Sequence, residues 1–227
     1  MKIVALIPAR QGSKSVKDKN IKIYNNKPLI YHTIKIAKES KLISRVIVST
    51  DSQKYANLAL KFGAEVPFLR PKKFSTDKSL DYEWINHATR FLLKKNNYLP
   101  DLILHLRPTT PNRDVFIIDK AIEYFLRNYH NVTSMRSVSL FSQPPQKFLQ
   151  IKKGFLKGFF DKLLKFDYTN YPRQFYPETY LPNGYIDILK PSFFLKNKTL
   201  HGNKVLPFIT EQTLDIDLEK DFDKKNI

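Results

Sequence analysis

A short basic segment that follows the first apolar run contains residues suited to binding phosphate groups. Gly12 and Ser13 leave room for a ligand to approach backbone N–H groups, and Arg10, Lys14 and Lys19 add positive charge. This spacing matches neither the P-loop pattern nor the dinucleotide-binding fingerprint. The segment therefore predicts either a site for a triphosphate or, by composition alone, an ordinary basic surface loop.

An acidic pair near the other end of the chain could bind a metal ion. Asp215 and Asp217 flank Ile216, and side chains two residues apart in an extended segment point to the same side. Two carboxylates on one side can bind one hard cation such as Mg²⁺. The same pair could instead cap a following helix and interact with its dipole.

Apolar runs of strand length alternate with stretches of helical period, which predicts an α/β fold with a mostly parallel sheet flanked by helices. The predicted strands are 3–7, 45–50, 101–106, 132–138, 184–189 and 205–209. The predicted helices are 28–40, 52–62, 79–96 and 114–129. Ligands of such sheets bind beyond the carboxyl ends of the strands, and the basic segment follows the strand at 3–7.

The segment 141–181 departs from this alternation. It is rich in Pro, Phe, Tyr and Lys at irregular spacing, which we interpret as a hairpin-bearing excursion from the sheet, a candidate lid or dimer arm. The length of 227 residues fits one large domain, so we expect a single domain over 1–227 with this protruding arm.

Composition restricts the class of protein. The formal net charge is +18, but the lysines are scattered along the chain, so we expect a solvated basic surface and no nucleic-acid partner. No apolar run approaches the roughly 20 residues that span a bilayer, and the opening run ends at Pro8, so we expect neither a membrane span nor a signal peptide. The chain has no cysteine, which permits a reducing compartment, and we expect a cytoplasmic location.

Several longer strings make the comparison with known families specific. In chain order they are IPARQGSKSVKDKNI at 7–21, VIVSTD at 46–51, GAEVPFLRP at 63–71, HLRPTTPNRD at 105–114, PRQ at 172–174, PNGYIDI at 182–188 and LDID at 214–217. From the first string to the last they span residues 7–217, and together they resemble the acylneuraminate cytidylyltransferase family of CMP-sugar synthetases. The resemblance implies a Rossmann-like nucleotidyltransferase fold and a homodimer whose arm reaches toward the partner's site.

The resemblance also implies the roles of individual residues. The triphosphate and its nucleoside would be bound by Arg10, Gly12, Ser13, Lys14, Lys19, Asn20 and Arg70, with Arg70 near the cytosine. The residues expected to act in catalysis are Arg10, Lys14, Lys19 and Asp217, and those expected to bind Mg²⁺ are Asp215 and Asp217. The acidic sugar would be bound by Arg107, Thr109, Arg173, Gln174 and Asn183.

Five positions depart from the family pattern. Ser15 stands where the family has glycine, and Asp81 lies near a position where some relatives have a small hydroxyl residue. Arg107 stands where many sialic-acid enzymes have glutamine, Leu181 where some members have arginine, and Asp187 where the family has tyrosine. No side chain is assigned as a general base. A surface role remains the alternative for Arg70, and the histidines, including His105, are interpreted as structural.

The function that the resemblance implies is transfer of CMP from CTP to an acidic keto-sugar, a sialic acid or a related nonulosonic acid, with release of pyrophosphate. One alternative keeps this chemistry but changes the substrates: a nucleotidyltransferase for a different sugar or a sugar-1-phosphate, with CTP or another nucleotide. A second alternative, from a different class, is a non-catalytic protein that binds nucleotides or RNA.

Overall fold

The computed structural model describes residues 1–160 and 165–224. Its strands are β1 (Ile3–Pro8), β2 (Ile23–Tyr24), β3 (Lys27–Pro28), β4 (Arg45–Ser49), β5 (Leu102–His105), β6 (Ser134–Phe141), β7 (Leu149–Lys152), β8 (Phe155–Gly158), β9 (Thr179–Leu189) and β10 (Val205–Ile209). Its helices are α1 (Leu29–Glu39), α2 (Gln53–Lys61), α3 (Asp81–Asn96), α4 (Val115–Arg127) and α5 (Pro191–Asn197). Every predicted strand and helix has a counterpart in this part of the chain, with ends shifted by a few residues.

One six-stranded sheet has the order β10-β6-β9-β5-β1-β4. The pairs β1–β4, β1–β5 and β10–β6 are parallel, whereas β9 runs antiparallel to both of its neighbours. The prediction of a mostly parallel sheet is confirmed. Because β1 and β5 are parallel neighbours, their carboxyl ends lie side by side, and the polar residues that follow them meet at one edge.

Each face of the sheet is covered by helices, as predicted. On β1, Ile3, Ala5 and Ile7 pack into a core with apolar residues of α1, α2 and α4. The alternate residues, Val4 and Leu6, face a second core built with α3 and α5. This alternation follows from the two-residue period of a strand, and a strand buried on both faces reads as the continuous apolar run seen in the sequence.

Helix α2 shows how local sequence ends an element. It stops at Lys61, and Gly63 adopts a positive φ of 82°. This is the left-handed conformation that glycine tolerates at the end of a helix. The glycine therefore allows the chain to leave the helix at this point.

The predicted arm leaves the sheet between β6 and β9, which are both longer than expected. The strands β7 and β8 form an antiparallel hairpin within it, and large apolar side chains there are exposed, including Ile151, Phe155 and Phe175. Residues 161–164, which belong to the predicted arm, lie outside the described residues.

Candidate active site

A cleft of about 330 Å³ opens beyond the carboxyl ends of β1 and β5. Seven of the predicted site residues line it, namely Arg10, Ser13, Lys19, Asn20, Arg70, Arg107 and Thr109. This is the position expected for a ligand of an open α/β sheet. The structure thus brings residues from three separate parts of the chain to one cleft.

The basic segment is anchored to the fold at several points. The backbone N–H of Gln11 donates to Asp51 Oδ1 (2.8 Å), and the side-chain amide of Asn20 donates to the carbonyl of Arg10 (3.1 Å). Further along, the hydroxyl of Tyr55 donates to Asp18 Oδ1 (2.8 Å). These contacts anchor the segment to the rest of the fold at its backbone and at Asp18.

Gly12 provides an open stretch of backbone within this segment. It has a φ of 83°, which a residue with a side chain adopts only with strain, and no atom lies within 4 Å of the place that a Cβ would occupy. A phosphate group can therefore approach the backbone here. This geometry is compatible with the expectation from the sequence that Gly12 leaves room for a ligand to approach the backbone.

Arg10 and Lys14 share one carboxylate. Their nitrogens lie 2.7 and 2.6 Å from the two oxygens of Asp77, in the segment that follows Arg70. Hydrogen bonds from Lys14 and Arg10 lower the pKa of Asp77 below its ordinary value. Asp77 therefore occupies, as an anion, the position between two cations that a phosphate would need.

Replacement of Asp77 by asparagine is expected to strengthen CTP binding. The amide cannot compete as an anion for Arg10 and Lys14, so we expect the Kd for CTP to fall about two- to fivefold, as suits exposed ion pairs. Isothermal titration would measure the change. Glu123→Gln, an equal change of charge on the exposed side of α4, should leave the Kd unaltered, and weaker binding to Asp77→Asn would contradict the prediction.

The acidic pair meets the basic segment. Lys19 Nζ lies 2.8 Å from Asp217 Oδ1, although 198 residues separate the two in sequence. Between the two aspartates, Ile216 is fully buried against Tyr24 and Leu29, which fixes the segment against the core.

Asp217 does not cap a helix in the structure, so that alternative for the acidic pair is wrong for this residue. A short 3₁₀ helix follows at Glu219–Asp221, and it is Asp221 whose carboxylate accepts the backbone N–H groups of Asp217 and Leu218, at 3.1 and 2.8 Å. The carboxylate of Asp217 is therefore free of a capping role and bonds to Lys19.

The chemistry of the acidic pair suits Mg²⁺. In the described ranges, no cluster of three or more His, Asp or Glu side chains is arranged to hold a metal. Mg²⁺ is commonly bound by only one or two carboxylates together with water and substrate phosphates. Partial withdrawal from water raises the pKa of Asp215, and the negative charge of Asp217 adds to this rise.

Arg70 is buried, with only 4% of its surface exposed. Its Nε donates to Ser49 Oγ (3.0 Å), its guanidinium also donates to the carbonyl of Ser49, and it stacks over Trp84 with 4.8 Å to the ring centroid. Burial lowers the pKa of Arg70 to about 10, so it stays charged at neutral pH. The alternative of an exposed surface arginine is wrong.

Arg107 lies between two carboxylates. Its two terminal nitrogens donate to Asp187 Oδ2 (3.0 Å) and Asp81 Oδ2 (3.1 Å). His105 lies close to both acids, yet burial, reinforced by Arg107, lowers the pKa of His105 to about 3, so its imidazole is neutral at neutral pH. The guanidinium is thereby held in one orientation at the edge of the cleft.

Asp187 contacts Arg107 at the site, and this contact was not predicted from the sequence. It lies on the antiparallel strand β9, where it faces His105 of β5 on one side and Arg136 of β6 on the other. The signal in the sequence for this contact was a carboxylate within the otherwise apolar run 185–189, because a buried charge requires a partner.

Arg113 was also missed, and it is buried. Its guanidinium donates to the carbonyls of Tyr185 (2.6 Å), Arg107 (2.9 Å) and Gly184 (3.0 Å), to the carbonyl of Thr110, and to Thr33 Oγ1 (3.2 Å). This cation fastens the turn after β5 to β9. Burial lowers the pKa of Arg113 to about 9, which leaves it charged at neutral pH.

Replacement of Arg113 by methionine is expected to lower the free energy of unfolding by about 3–5 kcal/mol, since each buried acceptor left without a donor costs roughly 1–3 kcal/mol. Urea denaturation would measure the loss. Arg127→Met, at the exposed end of α4, should change stability by less than about 0.5 kcal/mol. Equal stability of the two variants would show that the buried bonds contribute little.

The predicted sugar-binding residues are not all brought together within this chain. Thr109 lines the cleft, and its carbonyl accepts the backbone N–H of Ile216 (2.8 Å). Arg173 and Gln174 lie in the arm, and Arg173 borders a separate small cavity at its base. Asn183 donates to Thr210 Oγ1 (2.6 Å).

The sequence profile of the cytidylyltransferase family matches residues 4–147. The chain is 35% identical, over 98% of its length, to the N-acylneuraminate cytidylyltransferase of Escherichia coli O18:K1:H7, and spans only 51% of that longer relative. It is 33% identical to the post-translational flagellin modification protein B of Campylobacter coli, covering 97% of this chain and 92% of the relative.

The fold itself resembles that of a solved CMP-2-keto-3-deoxy-manno-octonic acid synthetase in complex with CTP. The TM-score is 0.71 at 14% identity, over 97% of this chain and 95% of that one. At this identity the likeness concerns the fold alone, and it confirms the predicted nucleotidyltransferase fold. None of the helices in residues 1–160 and 165–224 combines the length and apolar character that crossing a bilayer requires.

Proposed function

The chain belongs to the cytidylyltransferase family, and from this premise we propose that it transfers CMP from CTP to an acidic keto-sugar, a sialic acid or a related nonulosonic acid. The observation that carries the proposal is the contact between the basic segment and the acidic pair, Lys19 with Asp217 at 2.8 Å, beside the cleft. A polyphosphate requires cations, and its metal ion requires carboxylates. Lys19 lines the cleft, and its bond to Asp217 places the acidic pair next to the cationic residues.

The reaction that these residues support is a substitution at the α-phosphorus of CTP. The anomeric oxygen of the sugar forms a bond to this phosphorus, and the bond from phosphorus to the bridging oxygen of the β-phosphate breaks. Pyrophosphate leaves with the electron pair, and the hydroxyl proton passes to solvent. Arg10, Lys14 and Lys19 neutralise the charge that grows on the leaving pyrophosphate, which is the main help a protein can give to such a transfer.

The nucleotide would replace Asp77 as the anion between Arg10 and Lys14. Gly12 and Ser13 would bring backbone N–H groups to the phosphates, with Asn20 holding the segment in place. Arg70, buried and charged at the inner wall, would help to form the pocket for the cytosine.

Asp215 and Asp217 would hold Mg²⁺, which, when bound, neutralises phosphate oxygens and polarises the reacting phosphorus. With Asp217 as a ligand of the metal, the ammonium group of Lys19, now bonded to Asp217, would be available to a phosphate oxygen. The half-buried Asp215 is held in place through Ile216, whose N–H donates to the carbonyl of Thr109 (2.8 Å).

The sugar would lie toward Arg107 and Thr109. A guanidinium can bind the carboxylate of a keto-acid sugar through two parallel hydrogen bonds. Arg173, Gln174 and Asn183 complete the proposed sugar-binding set, and we propose that the arm brings Arg173 and Gln174 to the site of a partner in a homodimer. The exposed apolar side chains of the arm support such an interface.

We further propose that 1–227 forms one catalytic domain, with 141–181 as its dimerisation arm. CTP and the acidic sugar are the proposed partners, without nucleic acid or membrane. The cytoplasm is the proposed compartment, which a chain without cysteine tolerates.

The proposed function is tested by mixing the full chain with CTP, Mg²⁺ and one of sialic, legionaminic, pseudaminic or octulosonic acid, and measuring pyrophosphate release. We expect release with one or more of these sugars and none when the sugar is omitted. Absence of pyrophosphate release with all four sugars would overturn the proposal.

A comparison of nucleotides separates this function from its alternatives. A ligand raises the unfolding temperature according to its affinity, so CTP with Mg²⁺ is expected to give a larger shift than UTP, GTP or ATP. A larger shift with another nucleotide would favour a different nucleotidyltransferase. Salt-sensitive RNA binding without pyrophosphate release would favour the non-catalytic alternative.

A further inference from the structure

A second cavity, of about 530 Å³, lies on the outer side of α3, and Phe74 lies in the wall between it and the cleft described above. We propose that this cavity is a binding site for a small aromatic acid, a ligand with a planar apolar body and one anionic group. Its volume lies within the range of sites for small organic ligands. The proposal is independent of the proposed transferase activity.

The floor and walls of the cavity are aromatic. Phe91 and His87 both pack on Phe68 with ring centroids 5.0 Å apart, and Phe74 lies 5.7 Å from His87. Tyr82 contributes a fourth lining ring. Such walls favour a flat ring system, since aromatic pairs gain from edge and offset contacts as well as from burial.

His87 brings an unused polar atom to this apolar floor. Its Nδ1 is buried and has no hydrogen-bond partner among the described residues. Burial, with Arg70 and Lys73 nearby, lowers the pKa of His87, so the imidazole is neutral at neutral pH. A buried polar atom without a partner is costly, and a ligand with a polar atom at this depth would supply the missing bond.

The rim of the cavity is cationic. Arg90, Lys94 and Lys95 border it, and Arg90 is held in position by a bond from its Nε to Asn86 Oδ1 (2.9 Å). The acid at the rim, Glu83, is already engaged, since its carboxylate accepts the backbone N–H of Leu80 (2.9 Å). A cavity with an aromatic floor and a cationic rim suits an aromatic carboxylate, sulfonate or phosphate.

The test uses two fluorescent probes with similar apolar bodies, 8-anilinonaphthalene-1-sulfonate, which is an anion, and N-phenyl-1-naphthylamine, which is uncharged. Both are titrated into the full chain without and then with CTP and Mg²⁺, so that probe bound in the other cleft would be recognised by its displacement. The double variant Lys94→Glu/Lys95→Glu reverses the rim charge at two exposed positions. Lys61→Glu/Lys120→Glu makes the same change of net charge at exposed positions on α2 and α4.

We expect Lys94→Glu/Lys95→Glu to raise the Kd of the anionic probe about tenfold, because two exposed charge contacts are lost. The Kd of the uncharged probe should rise less than about twofold, because that probe makes no such contacts. The control pair should change neither value by more than about twofold. Equal effects of the two pairs, or competitive displacement of the anionic probe by CTP, would overturn the site. A crystal soak of the unmodified chain gives a second check. Density for the rings of the anionic probe beside His87, with its sulfonate at the rim near Lys94 and Lys95, supports the site, and density confined to the arm rejects it.

Discussion

Replacement of Lys14 by alanine is expected to lower kcat/KM for CTP about 10²- to 10³-fold, the usual effect of removing one group that stabilises charge in a transition state. The side chain of Lys14 is 82% exposed and pairs with Asp77, so its removal should leave the fold intact. Most of the loss should appear in kcat, because the charge on pyrophosphate is greatest as the bond to the α-phosphorus breaks. Initial rates of pyrophosphate release at several CTP concentrations would measure it.

The matched control for Lys14→Ala is Lys17→Ala, an exposed lysine of the same segment outside the set assigned to catalysis. This variant makes the same change of net charge, so it accounts for any general attraction of CTP to a basic surface. A similar loss in both variants would indicate such attraction alone. Unchanged kcat in Lys14→Ala would remove this lysine from the proposed mechanism.

Replacement of Asp217 by asparagine is expected to reduce kcat/KM for CTP by about 10²-fold or more and to raise the Mg²⁺ concentration needed for activity. The amide keeps the shape of the side chain but lacks the negative charge that binds a hard cation. The change also removes the ion pair with Lys19, which alone would strengthen rather than weaken phosphate binding. The direction of the effect therefore distinguishes a metal ligand from a partner of the lysine.

The metal role has a readout that does not depend on turnover. In the unmodified chain, Mg²⁺ should increase the rise in unfolding temperature that CTP produces, and Asp217→Asn should abolish most of this increase. Asp223→Asn removes an equal charge from an exposed position nearby and should behave as the unmodified chain. An unaltered Mg²⁺ dependence in Asp217→Asn would contradict the proposed metal site.

The elements of the fold could be predicted because their signals are local. A strand buried on both faces, such as β1, is a continuous apolar run, and a helix such as α4 shows its buried side as a period of three to four residues. The place of the phosphate-binding segment followed from the same pattern, because it comes after the first strand. The antiparallel direction of β9 was not visible, since the residues of a strand do not encode the direction of its neighbours.

Residue chemistry and resemblance together pointed to the site, but composition alone left two interpretations open. The segment around Gly12 could have been an ordinary surface loop, and the pair around Ile216 could have capped a helix. The structure separates these alternatives for Asp217, whose carboxylate bonds to Lys19 while Asp221 makes the cap. Whether Asp217 binds a metal stays a prediction.

The sequence alone determined the order of strands and helices along the chain, the basic turn after β1 and the family resemblance. These features can be recognised because periodicity and short motifs lie in neighbouring residues. Tertiary structure alone decided that Asp77 lies between Arg10 and Lys14. It also decided that Asp187 orients Arg107 and that Arg113 is buried. The physical reason is that such contacts join residues distant in sequence, and their free energy depends on distance and burial, which exist only once the chain has folded.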